Sequence, residues 1–474
     1  MALPRKRWRA AAALGLAVTA GSSLAVGAAE GQPSTVGTDG YVHVAPNGVV
    51  LGVDPYYPED GNGGYDVGDY NVALDYDPRR EVIAAKATIR ATTTQQLSRF
   101  NLDLRGLTVR SVTVDGAPAR FTRAKEHELV ITPAAVLAEG AAFTVVVDYF
   151  GSPTPIRTES GVTGWRRSHF GGVFAVGAPH SALTWLPLND TSVDRATFRV
   201  SVTAPAGYTV VSNGVRSSQT AATTTWTEDR PISPNALMLA VGPYRLTETA
   251  LPGGVRATHA TSVYSPNGSA LAAALPKAVE FLTSKLGDYP QGTAGGVYVA
   301  DYLPDTFPAQ GRPVLGPTAC ADDVMYATAA QWWGNRVGIK MWKDLPLVES
   351  FARYTVWMWD AERAGVDIED RYQRAFRSAS PAFWNRKLSD PGRGRELSVS
   401  DKGVLMVHAL RKQIGEDAFL AVLRGFPEIN DNWPQGWHDW ELYTEAVADQ
   451  DLHDFFAAWV DGTTVPPTVV PPAR

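Results

Sequence analysis

His127-Glu128-Leu129 begins like H-E-x-x-H, in which two histidines one helical turn apart chelate zinc and the glutamate between them takes a proton from metal-bound water. Here Val130-Ile131-Thr132 follows, no second histidine closes the pattern, and the run reads as a strand. Asp60-Gly61-Asn62-Gly63-Gly64-Tyr65-Asp66 offers oxygen ligands at a spacing that suits calcium, but a glycine-rich turn into the first strand accounts for it better. Cys320 is the single cysteine, so no intramolecular disulfide can form. Between Ala319 and Ala321 it reads as a small buried filler rather than a nucleophile. No Ser-His-Asp spacing and no phosphate-cradling glycine loop is evident.

The elements that must carry any site fall into two regions. From about Tyr65 to Leu251 apolar and polar residues alternate with period two, as in Val72, Leu74 and Tyr76 or Phe100, Leu102 and Leu104. Val112-Thr113-Val114 runs into an Asp115-Gly116 turn, and further strands are predicted over Phe143 to Tyr149, Ala196 to Val202, Tyr208 to Ser212 and Met238 to Val241. Near Gly253 the period changes. A helix is predicted over Ser269 to Leu286, capped by Asn267-Gly268-Ser269 and ended by Gly287, then a strand over Val297 to Ala300. Helices follow from about Asp322, Leu345, Asp401, Glu416, Trp437 and Leu452, with Asp322 and Asp323 favouring the positive end of theirs. The fold class is α+β: an N-terminal all-β sandwich or saddle (65–252), then a mainly α region (253–465) and a proline-rich tail (466–474).

At 474 residues, 45% hydrophobic, the chain can bury a large core, while a net charge of −6 offers no broad positive field for nucleic acid or anionic lipid. Arg5, Lys6, Arg7 and Arg9 precede an alanine-rich apolar stretch, and Val26-Gly27-Ala28 is a small-residue cleavage site, so residues 1–29 read as a signal peptide and export is expected. Residues 30–64 form an N-terminal extension, and no segment after the signal is apolar over the roughly 20 residues that span a bilayer.

Gln331-Trp332-Trp333-Gly334-Asn335, Trp342-Lys343-Asp344-Leu345 leading to Glu349-Ser350-Phe351-Ala352, and Asp401-Lys402-Gly403 before His408-Ala409-Leu410-Arg411 together resemble the membrane alanyl-aminopeptidase family of zinc peptidases. Phe100-Asn101-Leu102-Asp103-Leu104 and Thr184-Trp185-Leu186-Pro187-Leu188-Asn189-Asp190 resemble its first domain, and the likeness extends from about Tyr65 to Pro467. It implies a thermolysin-like fold for the second region. The family's zinc helix carries H-E-x-x-H, with a third ligand, a glutamate, eighteen residues after the second histidine. On that pattern Tyr326 and Ala330 stand at the histidine positions, Ala327 at the general base, and Glu349 at the remaining ligand.

Other family positions have also changed. The loop whose glutamate grips a substrate's free amine corresponds to Asp305-Thr306-Phe307-Pro308-Ala309, with Pro308 at the glutamate. Ser400 stands where a tyrosine would stabilise the oxyanion, and Ala178, before Pro179-His180, where a glutamine helps bind the amine. One carboxylate cannot replace a three-ligand centre, so Glu349 is expected to pair with Arg353 on its own helix or with Arg336 across the pair, and no metal or cofactor is expected. A mixed site of His180 with Glu349 is the less favoured reading. Trp332, Trp333, Trp342 and Trp357 are expected to pack in the core. The resulting expectation is a secreted, inactive homologue that serves as a binding or scaffold module, with a peptide or protein partner in the interdomain cleft near Ala178 and His180. The competing expectation is an active zinc aminopeptidase with non-standard ligands.

Overall fold

The computed structural model describes residues 54–158 and 161–467, together with the backbone of His43–Val44 and Val50–Leu51. The expected signal peptide, most of the N-terminal extension and most of the tail lie outside these residues.

Period-two patterning becomes a large mixed sheet. Its long central strands, Tyr65–Asp77 and Val82–Thr93, bury alternate side chains, since successive residues of a strand face opposite sides. Eight strands take part, and Ala196–Thr203 lies parallel to Tyr65–Asp77 while the other long pairings are antiparallel. A five-stranded sheet built around Gly161–Arg167, Val173–Val176 and Leu239–Gly242 and a three-stranded sheet containing Phe100–Asp103 and Glu128–Thr132 complete the β region around one hydrophobic core.

The change of period near Gly253 falls inside a hairpin. Tyr244–Ala250 pairs antiparallel with Arg256–Ser262, which continues in parallel to Thr293–Tyr298 and Val314–Leu315. The sheet of the second region therefore starts at Tyr244, ahead of the expected change.

Helices follow: α1 (Gly268–Leu286), α2 (Ala321–Ala329), α3 (Leu345–Ala364), α4 (Ile368–Ser378), α5 (Pro381–Trp384), α6 (Ser400–Ile414), α7 (Glu416–Ile429), α8 (Trp437–Ala448) and α9 (His453–Trp459). α4 and α5 are absent from the sequence reading: α4 carries Ile368, Tyr372, Ala375 and Phe376 at helical spacing against the core, but the rest of it is strongly polar and only Tyr372 is fully buried, while α5 is a single turn opened by Pro381. A second hydrophobic core lies among the helices. Trp332, Trp333 and Trp342 are buried in it, and Trp357 packs partly buried against it beneath Arg371.

Two local expectations change. Asn267 precedes α1, but its side-chain amide donates to the carbonyls of Pro317 and Ala319 rather than capping the helix, because that loop crosses directly over it. Cys320 is exposed, since it lies at the start of α2, where the chain leaves the loop at the surface. Among the described residues no helix is long and apolar enough to cross a membrane.

Candidate functional site

α2 and α3 pack side by side and bring Tyr326 against Glu349. Pro346 opens α3, where a missing N–H costs nothing, and Gly365 closes it in the left-handed conformation at φ 65°. On α2, Asp323 accepts the backbone N–H of Cys320 at 2.8 Å, and two acidic residues occupy the first turn, where the helix dipole favours them.

Glu349 is only 6% exposed, so its carboxylate must find partners within the protein. Tyr326 supplies its hydroxyl, 2.8 Å from Oε1 and 3.0 Å from Oε2, and Arg353 Nε donates to Oε2 at 2.9 Å. The second face of the Arg353 fork reaches Asp305 at 3.1 Å, and its guanidinium lies 4.3 Å from the centre of the Tyr326 ring. Burial, reinforced by the charge of Glu349, pushes the Tyr326 hydroxyl well above its ordinary range and keeps it a donor. For Arg353, burial alone would discourage the charge, but Glu349, Tyr326 and Asp305 reverse that and hold it protonated. Of the two partners expected for Glu349, Arg353 is the one found. Arg336 turns instead to Asp431 at 3.5 Å.

The loop at 305–312 is fixed from both sides. Gln331, just past α2, donates to the carbonyls of Ala309 and Ala327 and accepts from the Gly311 N–H, while Asn335 donates to the Pro308 carbonyl at 2.8 Å. Arg312, fully buried, donates to the carbonyls of Thr258, Ser212 and Gly214. These bonds hold Pro308 over the cleft.

A cavity of about 120 Å³ opens between the β region and the α2–α3 pair, and Ala178, Pro308, Tyr326, Ala330 and Glu349 all line it. The structure thus brings together five of the residues singled out in the sequence. Ala327, Ser400 and His180 do not join them. Ala327 is buried within α2, where its carbonyl accepts from Gln331, and Ser400 begins α6 with its hydroxyl donated to the Leu397 carbonyl at 2.9 Å. His180 is held by Asp60, 2.8 Å from its Nδ1, with Tyr57 edge-on to its ring, so it does not meet Glu349. The His127-Glu128 pair falls at the start of a strand as expected, and His127 also faces Asp60, at 3.4 Å.

A zinc ion does not fit this donor set. Alanine side chains have no lone pairs, the Tyr326 phenol is held neutral, and both oxygens of Glu349 are engaged, one by a guanidinium that is itself a cation. Among the described residues no three His, Cys, Asp or Glu side chains converge as a metal centre would require. Sequence reasoning missed that Tyr326, at a position where the resemblance implies a ligand, donates a hydrogen bond to Glu349, and that Asp305 closes the network. A tyrosine at the first ligand position, together with an arginine one turn after Glu349, was the available signal.

With this geometry in hand, residues 67–233 match the family described as the Peptidase M1 N-terminal domain. An aminopeptidase N of Lactococcus lactis subsp. lactis is 28% identical over 158 residues, a stretch that covers 29% of this chain and 18% of that protein. Among solved structures, an M1 zinc metallopeptidase from Deinococcus radiodurans is similar at a TM-score of 0.82 and 24% identity, covering 90% of this chain and all of that one. A mutant of the Deinococcus enzyme bound to a Tyr-Ser-Ala substrate is similar at a TM-score of 0.80 and 25% identity, covering 89% of this chain and all of that one.

Proposed function

Because this chain belongs to the M1 aminopeptidase family, we propose that it is a secreted member that has given up zinc and peptide hydrolysis and keeps the fold as a binding or scaffold module. One observation carries the reading: the family's remaining ligand carboxylate, Glu349, is saturated by Tyr326 and Arg353, two groups that a metal would have to displace. The general base and the oxyanion donor of the family are replaced by Ala327 and Ser400, and each such group is typically worth about two to four powers of ten in rate. With the metal's ligands gone as well, no single neighbour restores the reaction.

The cleft itself persists, and concave sites between regions of a protein are where ligands bind. The Deinococcus relative described in complex with a Tyr-Ser-Ala substrate supports a peptide as the kind of occupant to test. Export rests on the N-terminal basic and alanine-rich segment of the sequence.

The test is metal content and turnover on the same preparation, purified without chelator. Substoichiometric zinc and no hydrolysis of chromogenic aminoacyl substrates are expected. Stoichiometric zinc with turnover that Glu349→Ala abolishes would overturn the proposal in favour of an active peptidase with other ligands.

A further inference from the structure

Large apolar side chains scattered singly over a surface are ordinary, but here three exposed aromatic rings are drawn to one set of loops. Phe170, Tyr264 and Tyr302 are 43%, 56% and 67% exposed. Phe170 lies in the loop between Gly161–Arg167 and Val173–Val176, Tyr264 follows Arg256–Ser262, and Tyr302 follows Thr293–Tyr298. The last two strands are parallel neighbours, so the loops after them leave the same end of the sheet. Phe170 and Tyr264 stack on each other, with ring centres 5.4 Å apart and 27° between their planes.

One buried carboxylate fixes this platform. Asp301, just before Tyr302, accepts from the Ser168 hydroxyl at 2.5 Å and from the His169 N–H at 2.9 Å, and its Oδ1 lies 2.8 Å from His169 Nδ1. Arg166 donates to the Tyr302 carbonyl at 3.1 Å and ties the same two loops a second time. The turn after Phe170 requires glycine. Gly171 and Gly172 have φ of 98° and 82°, and a Cβ on Gly172 would come within 2.0 Å of the Val241 carbonyl. The loop thus presents a His169 side chain that is 90% exposed and yet anchored, and a ligand that meets anchored groups orders less on binding. With Nδ1 engaged by Asp301, Nε2 is the ring nitrogen open to a ligand.

Area and charge select the occupant. Rings of about 150–250 Å² each, roughly half exposed, leave on the order of 300 Å² of aromatic surface, well short of the roughly 800 Å² per partner that a stable protein interface buries. The charges beside the rings are spent internally: Asp301 on Ser168 and His169, Arg166 on the Tyr302 carbonyl, Arg167 on Glu81. No cationic surface is left here for an anionic lipid or a nucleic acid. A pyranose suits what remains. The C–H bonds of its flat face are positively polarised and stack on the negative face of an aromatic ring. Its ring of hydroxyls needs mixed donors and acceptors, which the phenols of Tyr264 and Tyr302 and the His169 imidazole carry.

We infer that Phe170, Tyr264 and Tyr302, with His169 beside them, form a binding platform for a neutral polysaccharide of pyranose units. The platform is separate from Glu349 and its partners, so it does not depend on whether the cleft has lost zinc.

Isothermal titration of the full chain with cellohexaose and with chitohexaose tests it, alongside sedimentation with vesicles of pure phosphatidylcholine. Saturable binding of at least one hexasaccharide with a Kd below about 1 mM is expected, and no sedimentation with the vesicles. Tyr302→Ala and Phe170→Ala should each weaken that binding by at least about tenfold, since roughly 100 Å² of ring surface no longer leaves water. Tyr302→Phe keeps the ring and should stay within about twofold, while His169→Ala should cost about fivefold, the value of one hydrogen bond. Thermal midpoints close to the parent's are expected for all four, because these side chains are exposed. Binding of neither saccharide, or binding that both alanine variants leave intact, overturns the inference, as does co-sedimentation with the vesicles that the alanine variants abolish.

Discussion

A carboxylate as enclosed as Glu349 needs a cation within a few ångströms, and Arg353 provides it from the same helix one turn on. Breaking a buried pair by removing one partner is far more damaging than never having built it. Arg353→Met is therefore expected to cost about 3 kcal/mol, and the double variant Glu349→Gln with Arg353→Met to recover much of that loss, read from urea denaturation midpoints. Tyr326→Phe removes one hydrogen bond from the same group and should cost about 1–2 kcal/mol. The network also bears on reconstruction. Tyr326→His, Ala327→Glu and Ala330→His together recreate H-E-x-x-H, and zinc affinity is expected to rise at least about tenfold further when Arg353→Ala is added, because the ligand carboxylate is then released from its internal cation. Equal affinity with and without Arg353 would show that the guanidinium does not compete with the metal.

Asp401-Lys402-Gly403, one of the stretches that carries the family likeness, has a packing explanation at the scale of elements. A Cβ on Gly403 would come within 1.8 Å of the Ser350 hydroxyl, so α6 approaches α3 this closely only because residue 403 has no side chain. Lys402, almost fully buried, donates to the carbonyls of Arg386 at 2.6 Å and Gly462 at 2.7 Å, and burial pushes its ammonium down to about 8. Gly403→Ala is expected to cost about 1–3 kcal/mol through overpacking, visible as a lowered thermal midpoint. Because α3 carries Glu349 and Arg353, the same change should also loosen their pairing. The long strands and the helices with an apolar stripe were legible from periodicity. α4 was passed over although Ile368, Tyr372, Ala375 and Phe376 form a stripe at helical spacing, because that stripe is narrow in an otherwise strongly polar segment, and the place of Tyr244–Ala250 was not legible, since a strand's alternation does not say which sheet it joins.

Across the whole molecule, the segment at 54–64 ties the β region to the helices. Asp54 accepts the Trp342 N–H and Tyr56 accepts the Gly392 N–H at 2.9 Å on the helical side, while Gly61 donates to Asp103 at 3.1 Å and Asn62 to Asn189 at 2.6 Å on the other. Between them Asp60 faces His127 and His180. Burial alone would lower the His127 imidazolium, but the Asp60 contact and the charge of Asp103 outweigh it and raise it from 6.5 to about 9. A group raised on folding stabilises fully below its unfolded value and loses that contribution as pH climbs through its folded one. Stability is therefore expected to fall as pH rises from 6.5 through about 9, and Asp103 and Glu128, both raised chiefly by burial, add to the decline with rising pH. For Asp60 burial works upward, but the two histidines prevail and lower it, so its contribution is present above 3.8 and fades at more acid pH. Thermal midpoints across this range should show a maximum at intermediate pH, and His127→Gln should flatten the alkaline limb; an unchanged limb would remove His127 as its source.

Composition and periodicity determined on their own that a β region precedes a helical one, and counting along the pattern of the family that the sequence resembles implied that Glu349 stands at a ligand's position, Tyr326 and Ala330 at the two histidine positions and Ala327 at the general base. These properties are local or depend on counting along one chain, and counting needs no coordinates. Only the tertiary structure decided that Tyr326 and Arg353 together saturate Glu349, that Asp305 closes the network and that His180 belongs to Asp60. Each of these depends on side chains far apart in sequence being enclosed away from water, and it is that enclosure that makes one hydrogen-bond partner more or less decisive.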